Sequence, residues 1–89
     1  MSVSTGKIYL DVREPLEYRS GHVAEALNIS LAELMQGTTR LNDVPRDTQL
    51  VVYCRSGSRS GMAIQILQGM GYSDLTNGIS PEYIQAHNL

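Results

Sequence analysis

The sequence predicts an α/β fold, a small, mostly parallel sheet of about four strands flanked by helices on both faces. Two patterns lead there. Short apolar runs suited to strands recur along the chain, and each is followed by a stretch with helix start and stop signals. Strand–helix alternation of this kind gives parallel strands with helical crossovers, and ligands then bind beyond the carboxyl ends of the strands. With 89 residues, 42% of them hydrophobic, and no internal repeat, the chain suits a single domain over residues 1–89.

The elements follow in order. Residues 1–6 are small and polar and read as a disordered lead-in. Lys7–Val12 is the first strand. Arg13-Glu14-Pro15 stops it, and Pro15 opens a short helix that runs toward Gly21. Ala26–Ile29 reads as a brief strand. Ser30, with Glu33 three residues later, has the capping-box pattern and opens a helix through Met35 that Gly37 ends. Thr38–Arg46 is a loop with one helical turn, and Pro45-Arg46-Asp47 is turn chemistry. Gln49–Tyr53 is β-branched and uninterrupted, the best strand of the chain. After the polar loop Cys54–Ser58 comes the best helix, with Met62, Ala63, Ile66, Leu67 and Met70 on one face and Gly71 as its terminator. Asp74–Thr76 is a short strand. Ser80 caps a last helix with Pro81 at its first position. Without Trp or Phe, the core is expected to be aliphatic and Met-based, with the five Tyr at its edges and the Met62/Leu67/Met70 stripe inside.

Composition closes off several functions. Seven Lys+Arg against nine Asp+Glu give a net charge of −2, which argues against a nucleic-acid binder driven by bulk basicity. No apolar run approaches the ~20 residues of a membrane span, and no charged start leads into an apolar signal core. A cytoplasmic domain is expected. Cys54 is the single cysteine, so neither an intrachain disulfide nor a multi-cysteine zinc site is possible, and two distant histidines offer little to a metal. No cofactor is expected.

Chemistry falls to the segment Val51-Val52-Tyr53-Cys54-Arg55-Ser56-Gly57-Ser58-Arg59-Ser60, which sets a thiol where a strand meets a helix. Main-chain N–H groups of a helix's first turn lack intrahelical partners, and the helix dipole adds partial positive charge there. Arg55 and Arg59 flank the thiol, Gly57 lets the backbone curl, and Ser56, Ser58 and Ser60 add hydroxyl donors. All of this favours thiolate and lowers the Cys54 pKa below the free value of ~8.5. The same donors can cradle an anion.

Here the sequence resembles the single-domain rhodaneses, thiosulfate sulfurtransferases. One matching stretch is Asp11-Val12-Arg13-Glu14-Pro15, with Glu17-Tyr18, Gly21-His22-Val23, Ala26 and Asn28-Ile29. The other is the Cys54 segment, with Ala63, Leu67 and Gly71-Tyr72. The resemblance implies a rhodanese-like fold and a sulfur transfer in which Cys54 takes a sulfane sulfur from a small anionic donor such as thiosulfate. A thiol, cyanide or a protein cysteine then removes it. It places the nucleophile at Cys54 and a substrate cradle in Arg55, Ser56, Gly57, Ser58, Arg59 and Ser60. The spacing from Cys54 to Arg59 is Cys-X4-Arg, one residue shorter than the loop of related cysteine phosphatases. The chain departs from the family in its short lead-in before Asp11. It has Asn77-Gly78 where many members carry paired glycines, and no Trp follows.

The remaining candidates have plainer readings. Asp11 and Arg13 are taken as supporting residues: an ion pair or helix cap is preferred to catalysis, though Arg13 is placed to attract an anion. His22 is read as a structural hydrogen-bonding residue and His87 as surface. The alternatives to an enzyme are a persulfide carrier or interaction module serving one protein partner, and, ranked below it, a redox sensor without a resolving cysteine.

Overall fold

A computed structural model describes residues 6–89. The expected disordered lead-in falls almost wholly on residues 1–5, outside the described residues. The elements are β1 (Lys7–Asp11), α1 (Pro15–Arg19), β2 (Leu27–Asn28), α2 (Leu31–Gln36), β3 (Gln49–Tyr53), α3 (Ser58–Gly69), β4 (Leu75–Ile79) and α4 (Pro81–His87). The four strands form one sheet in the order β2-β1-β3-β4, and every pairing is parallel. This is the four-stranded parallel α/β fold that the sequence predicts.

Side-chain alternation along β3 sorts the interior into two layers. Leu50, Val52 and Cys54 face one side, where Leu34 of α2 and Ala63 and Leu67 of α3 cover them. Val51 and Tyr53 face the other, against Ala26, Ile84 of α4 and the part-buried Tyr18 of α1. From β1 the chain moves outward to β2 on one side of the sheet, and from β3 it moves outward to β4 on the other. The loops after β1 and β3 therefore open side by side at the carboxyl ends, where a parallel sheet reverses its strand order.

Local chemistry explains the boundaries. Ser80 caps α4 through its side chain, which accepts from Tyr83 N at 3.0 Å, and Pro81 follows. Ser30 accepts from Glu33 N at 3.2 Å. The reciprocal half of that capping box is absent, because the Glu33 carboxylate instead takes Arg40 Nε and Nη2, both at 2.9 Å, and the Thr38 hydroxyl at 2.8 Å. The last strand extends beyond Thr76 to Ile79, with a register shift opposite Val52 and Tyr53 that leaves Gly78 as the extra residue. Gly78 lies so close to Val51 and Ile84 that a Cβ there would stand 2.9 Å from both side chains.

Two expectations about the interior need correction. The core is aliphatic but not Met-based: Met35 is 64% and Met62 52% exposed, and only Met70 of the predicted stripe's two methionines packs against the core. Nor are all tyrosines at the edge. Tyr53 and Tyr72 are buried because their hydroxyls find partners inside, Tyr53 accepting from Val23 N and Tyr72 donating to the Leu41 and Val44 carbonyls. Among the described residues no helix is long and apolar enough to cross a membrane.

Candidate active site

Cys54 is the first residue past β3. Its N–H donates to Ile79 O at 3.1 Å, which ties the start of the loop to the end of β4. The chain then turns through Arg55, Ser56 and Gly57 into α3. Gly57 has φ +96°, a left-handed conformation costly for a residue with a Cβ, and such an atom would also press on Ile79 at 3.4 Å. That turn aims Gly57 N at Cys54 Sγ, 3.1 Å away. Ser60 Oγ lies 3.5 Å from the same sulfur.

Burial pushes the Cys54 thiol up; a Ser60 hydroxyl donating to the sulfur, together with the main-chain N–H groups of Ser60, Ser56 and Gly57, would bring the pKa down to about 7, and the N–H groups by themselves lower it less. The residue is fully buried, with its inner side in the aliphatic layer formed with Val52 and Ala63. The turn over it is itself exposed at Arg55, Ser56 and Ser58. The sulfur thus sits between an apolar floor and a roof of peptide donors.

The flanking charges are placed differently from the sequence expectation. Arg59 makes no hydrogen bond to the sulfur among the described residues, although the two are near enough to interact electrostatically. It forms a two-pronged pair with Glu17 of α1, Nη1 to Oε1 at 2.7 Å and Nη2 to Oε2 at 3.1 Å. Arg55 is 69% exposed at its side chain, and its Nη1 lies 3.7 Å from Oε2 of the same carboxylate. Glu17 is held down to about 2, chiefly by its hydrogen bond from Arg59. The hydroxyls of Ser56 and Ser58 make no hydrogen bond to Sγ among the described residues, and that of Ser60 is committed elsewhere, donating to Asn77 Oδ1 at 2.7 Å. Main-chain N–H groups, rather than guanidinium groups, surround the sulfur.

Asp11 and Arg13 form the buried ion pair that the sequence favoured. Asp11 ends β1 with no exposure, and its carboxylate accepts from Arg13 Nε at 3.0 and 3.1 Å, from Nη2 at 2.7 Å and from the main-chain N of Arg13 at 2.9 Å. Arg13 Nη2 also donates to Gly21 O at 2.7 Å, and the guanidinium lies 5.6 Å from the Tyr53 ring centre. The pair thus pins the turn after α1 to the sheet. Arg13 and Arg55 together line a polar cavity of about 340 Å³ with Ser20, Gly21, Pro81 and Glu82. His22 stacks on Tyr18 and bonds Tyr18 O through Nδ1, a structural role.

Three residues of this neighbourhood were not singled out from sequence for a role at the site. Glu17 takes both loop arginines, and its place in the first matching stretch was the available signal. Asn77 binds Ser60 and the loop carbonyl of Gly57, and the departure from paired glycines pointed at it. Ile79 accepts from Cys54 N while held at φ +69°, a rare conformation for a β-branched residue that nothing in the sequence announces.

Comparison with known proteins agrees with this architecture. The family model for the rhodanese-like domain matches residues 2–80. The uncharacterized protein YqhL of Bacillus subtilis is 40% identical over 68 residues, which cover 76% of this chain and 52% of that protein. The thiosulfate sulfurtransferase PspE of Escherichia coli is 36% identical over 77 residues, 86% of this chain and 73% of that one. A solved structure of a rhodanese with anions from E. coli superposes with a TM-score of 0.77 at 34% identity, covering 89% of this chain and 92% of that chain. The chain therefore spans between about half and three quarters of the length of these two curated relatives.

Proposed function

The chain belongs to the rhodanese-like domain family, and from that membership we propose that it is a sulfurtransferase working through a persulfide on Cys54. The observation that carries the reading is the aim of the loop: Gly57 N stands 3.1 Å from Sγ, at the amino end of a 12-residue helix. A thiolate held this way is a nucleophile at neutral pH without an adjacent base.

The proposed donor is thiosulfate or a related small anion. The Cys54 thiolate attacks the outer sulfur, the donor's S–S bond breaks, and sulfite leaves with the bonding pair. The outer sulfur of the resulting persulfide is itself anionic when deprotonated, so the peptide donors that hold the thiolate also suit the intermediate. A thiol, cyanide or a protein cysteine then attacks that outer sulfur and returns Cys54 to thiolate. Arg13 and Arg55 on the wall of the polar cavity favour approach of an anion. Arg55, Ser56, Gly57, Ser58, Arg59 and Ser60 form the cradle in this reading, with the main chain supplying the contacts and Arg59 held in place by Glu17. Asp11 and Arg13 support the loop's surroundings. A lone thiolate persists where thiols are kept reduced, so we place the protein in the cytoplasm.

Mass spectrometry of the reduced, desalted protein after incubation with thiosulfate tests the proposal. One added sulfur on Cys54, removed by cyanide and missing in Cys54→Ser, is the expected result. An unmodified wild-type protein would overturn it. Release of that sulfur to a single protein thiol, and not to cyanide or small thiols, would make the domain a dedicated carrier instead.

A further inference from the structure

The hydrogen bonds around Asn77 fix where the Ser60 proton goes. Asn77 Nδ2 donates to Gly57 O at 3.1 Å, and Oδ1 accepts from Ile79 N at 3.0 Å. Turning the amide over would set oxygen against a carbonyl and nitrogen against an N–H, so only one orientation satisfies both backbone groups. Oδ1 is therefore the atom that meets Ser60 Oγ at 2.7 Å, and it can only accept. A serine hydroxyl carries one proton. With that proton on the Asn77 side, Ser60 Oγ turns its lone pairs toward Cys54 Sγ, 3.5 Å away. Ser60 is fully buried, which leaves its hydroxyl these two neighbours.

We propose that Asn77 is a positioning residue that holds Ser60 as a hydrogen-bond acceptor facing Cys54, so that Ser60 favours the protonated thiol and the thiolate rests on main-chain N–H groups alone. The catalytic meaning of this arrangement rests on the reading of Cys54 as the nucleophile; the proton placement does not. A donating Ser60 would lower the thiol's pKa, and an accepting one raises it. Thiolates of very low pKa are weaker nucleophiles, and an attacking thiol works best with a pKa near the ambient pH. Asn77 thereby keeps the sulfur from being over-stabilised as an anion by the donors around it. It does so from the stretch where the sequence departs from paired glycines, which have no side chain to offer Ser60.

The test is the pH dependence of Cys54 alkylation by iodoacetamide, read by mass spectrometry on wild type, Ser60→Ala, Asn77→Ala and the double variant, with a thermal melt on each. Ser60→Ala removes the acceptor, so the alkylation pKa falls and the rate below that pKa rises about threefold, the effect of one modest hydrogen bond. Asn77→Ala frees the Ser60 proton to turn toward Sγ, so its pKa falls further, and the double variant matches Ser60→Ala. The opposite sign belongs to a purely structural role, because a slackened loop loses the aim of its N–H groups and the pKa rises. A pKa raised or unchanged in Ser60→Ala overturns the proposal, and so does a raised one in folded Asn77→Ala. If Asn77→Ala fails to fold, Ser60→Ala decides alone. Sulfur transfer is not read, so failure of this test and failure of thiosulfate labelling are separate results.

Discussion

Substituting Asp11 by Asn separates a structural from a catalytic reading of the Asp11–Arg13 pair. In the native protein the carboxylate accepts three hydrogen bonds from the Arg13 side chain, and the two side chains are 0% and 8% exposed. An amide of the same shape would place its N–H groups against one of the guanidinium's donors. Arg13 would keep the amide oxygen and Gly21 O as uncharged acceptors, but its positive charge would stand inside without a counter-ion. Breaking one side of a buried pair costs about 3–5 kcal/mol. A chain of this length has only about 5–13 kcal/mol in total, so the variant's melting temperature should fall by roughly 12–30 °C. Thermal denaturation followed by circular dichroism measures that loss. Exchanging Arg13 for Met in the Asp11→Asn background should restore part of it, since the stranded charge is then gone. In the cold, where the variant is still folded, Cys54 alkylation should show the wild-type rate and pH profile. A melting temperature within a few degrees of wild type would refute the energetic argument. Altered Cys54 reactivity in the folded variant would move Asp11 into the chemistry.

Two further outcomes follow from the loop. In Glu17→Gln, Arg59 and Arg55 lose their shared carboxylate, so the KM for thiosulfate should fall, most at low salt; an unchanged or higher KM would show that these arginines do not reach the donor. The same variant should lose at most about 1 kcal/mol at neutral pH, because both partners are partly exposed. Glu17 is held at about 2, below its ordinary value, so its contribution is present above pH ~4.5 and fades as the pH drops toward 2; acid titration of stability should show this limb in wild type and not in Glu17→Gln. Because Cys54 is fully covered, iodoacetamide should label it far faster than a bulky maleimide does, relative to a free thiol treated alike. Equal relative rates would mean that the turn gives the sulfur no steric cover.

The succession of strands and helices along the chain and most element boundaries were legible because they rest on local signals; the order of the strands within the sheet was not. The β-branched run Gln49–Tyr53, the caps at Ser30 and Ser80, and the glycines at 37 and 71 each act within a few residues of themselves. The Cys54 turn was legible for the same reason. What stayed hidden depends on pairing across the sequence. Arg59 and Glu17 are 42 residues apart, and a basic residue beside a thiol reads as its partner until a carboxylate from another helix claims it. Helical periodicity put Met62 in the core because it records which residues share a face, not whether α2 extends far enough to cover them. Tyr53 reads as an edge residue from its hydroxyl, and only the position of Val23 N makes an interior place affordable.

The placement of the arginines bears on how the site handles charge. Had both guanidinium groups met the sulfur directly, they would have stabilised the thiolate but also competed with it for an incoming anion and held the departing sulfite. With Glu17 neutralising one of them, the sulfur is served by peptide dipoles that carry no net charge. Such donors would keep their orientation with either a thiolate or the proposed persulfide in the loop, so neither state would demand rearrangement of ions. Exposed Arg55 then lies to one side, on the wall of the polar cavity that Glu82 and the Asp11-paired Arg13 also line. In the proposed reaction, attraction of the donor and activation of the nucleophile fall to different groups, and each can be altered without the other: Glu17 and Arg55 for the approach, Asn77 and Ser60 for the thiol.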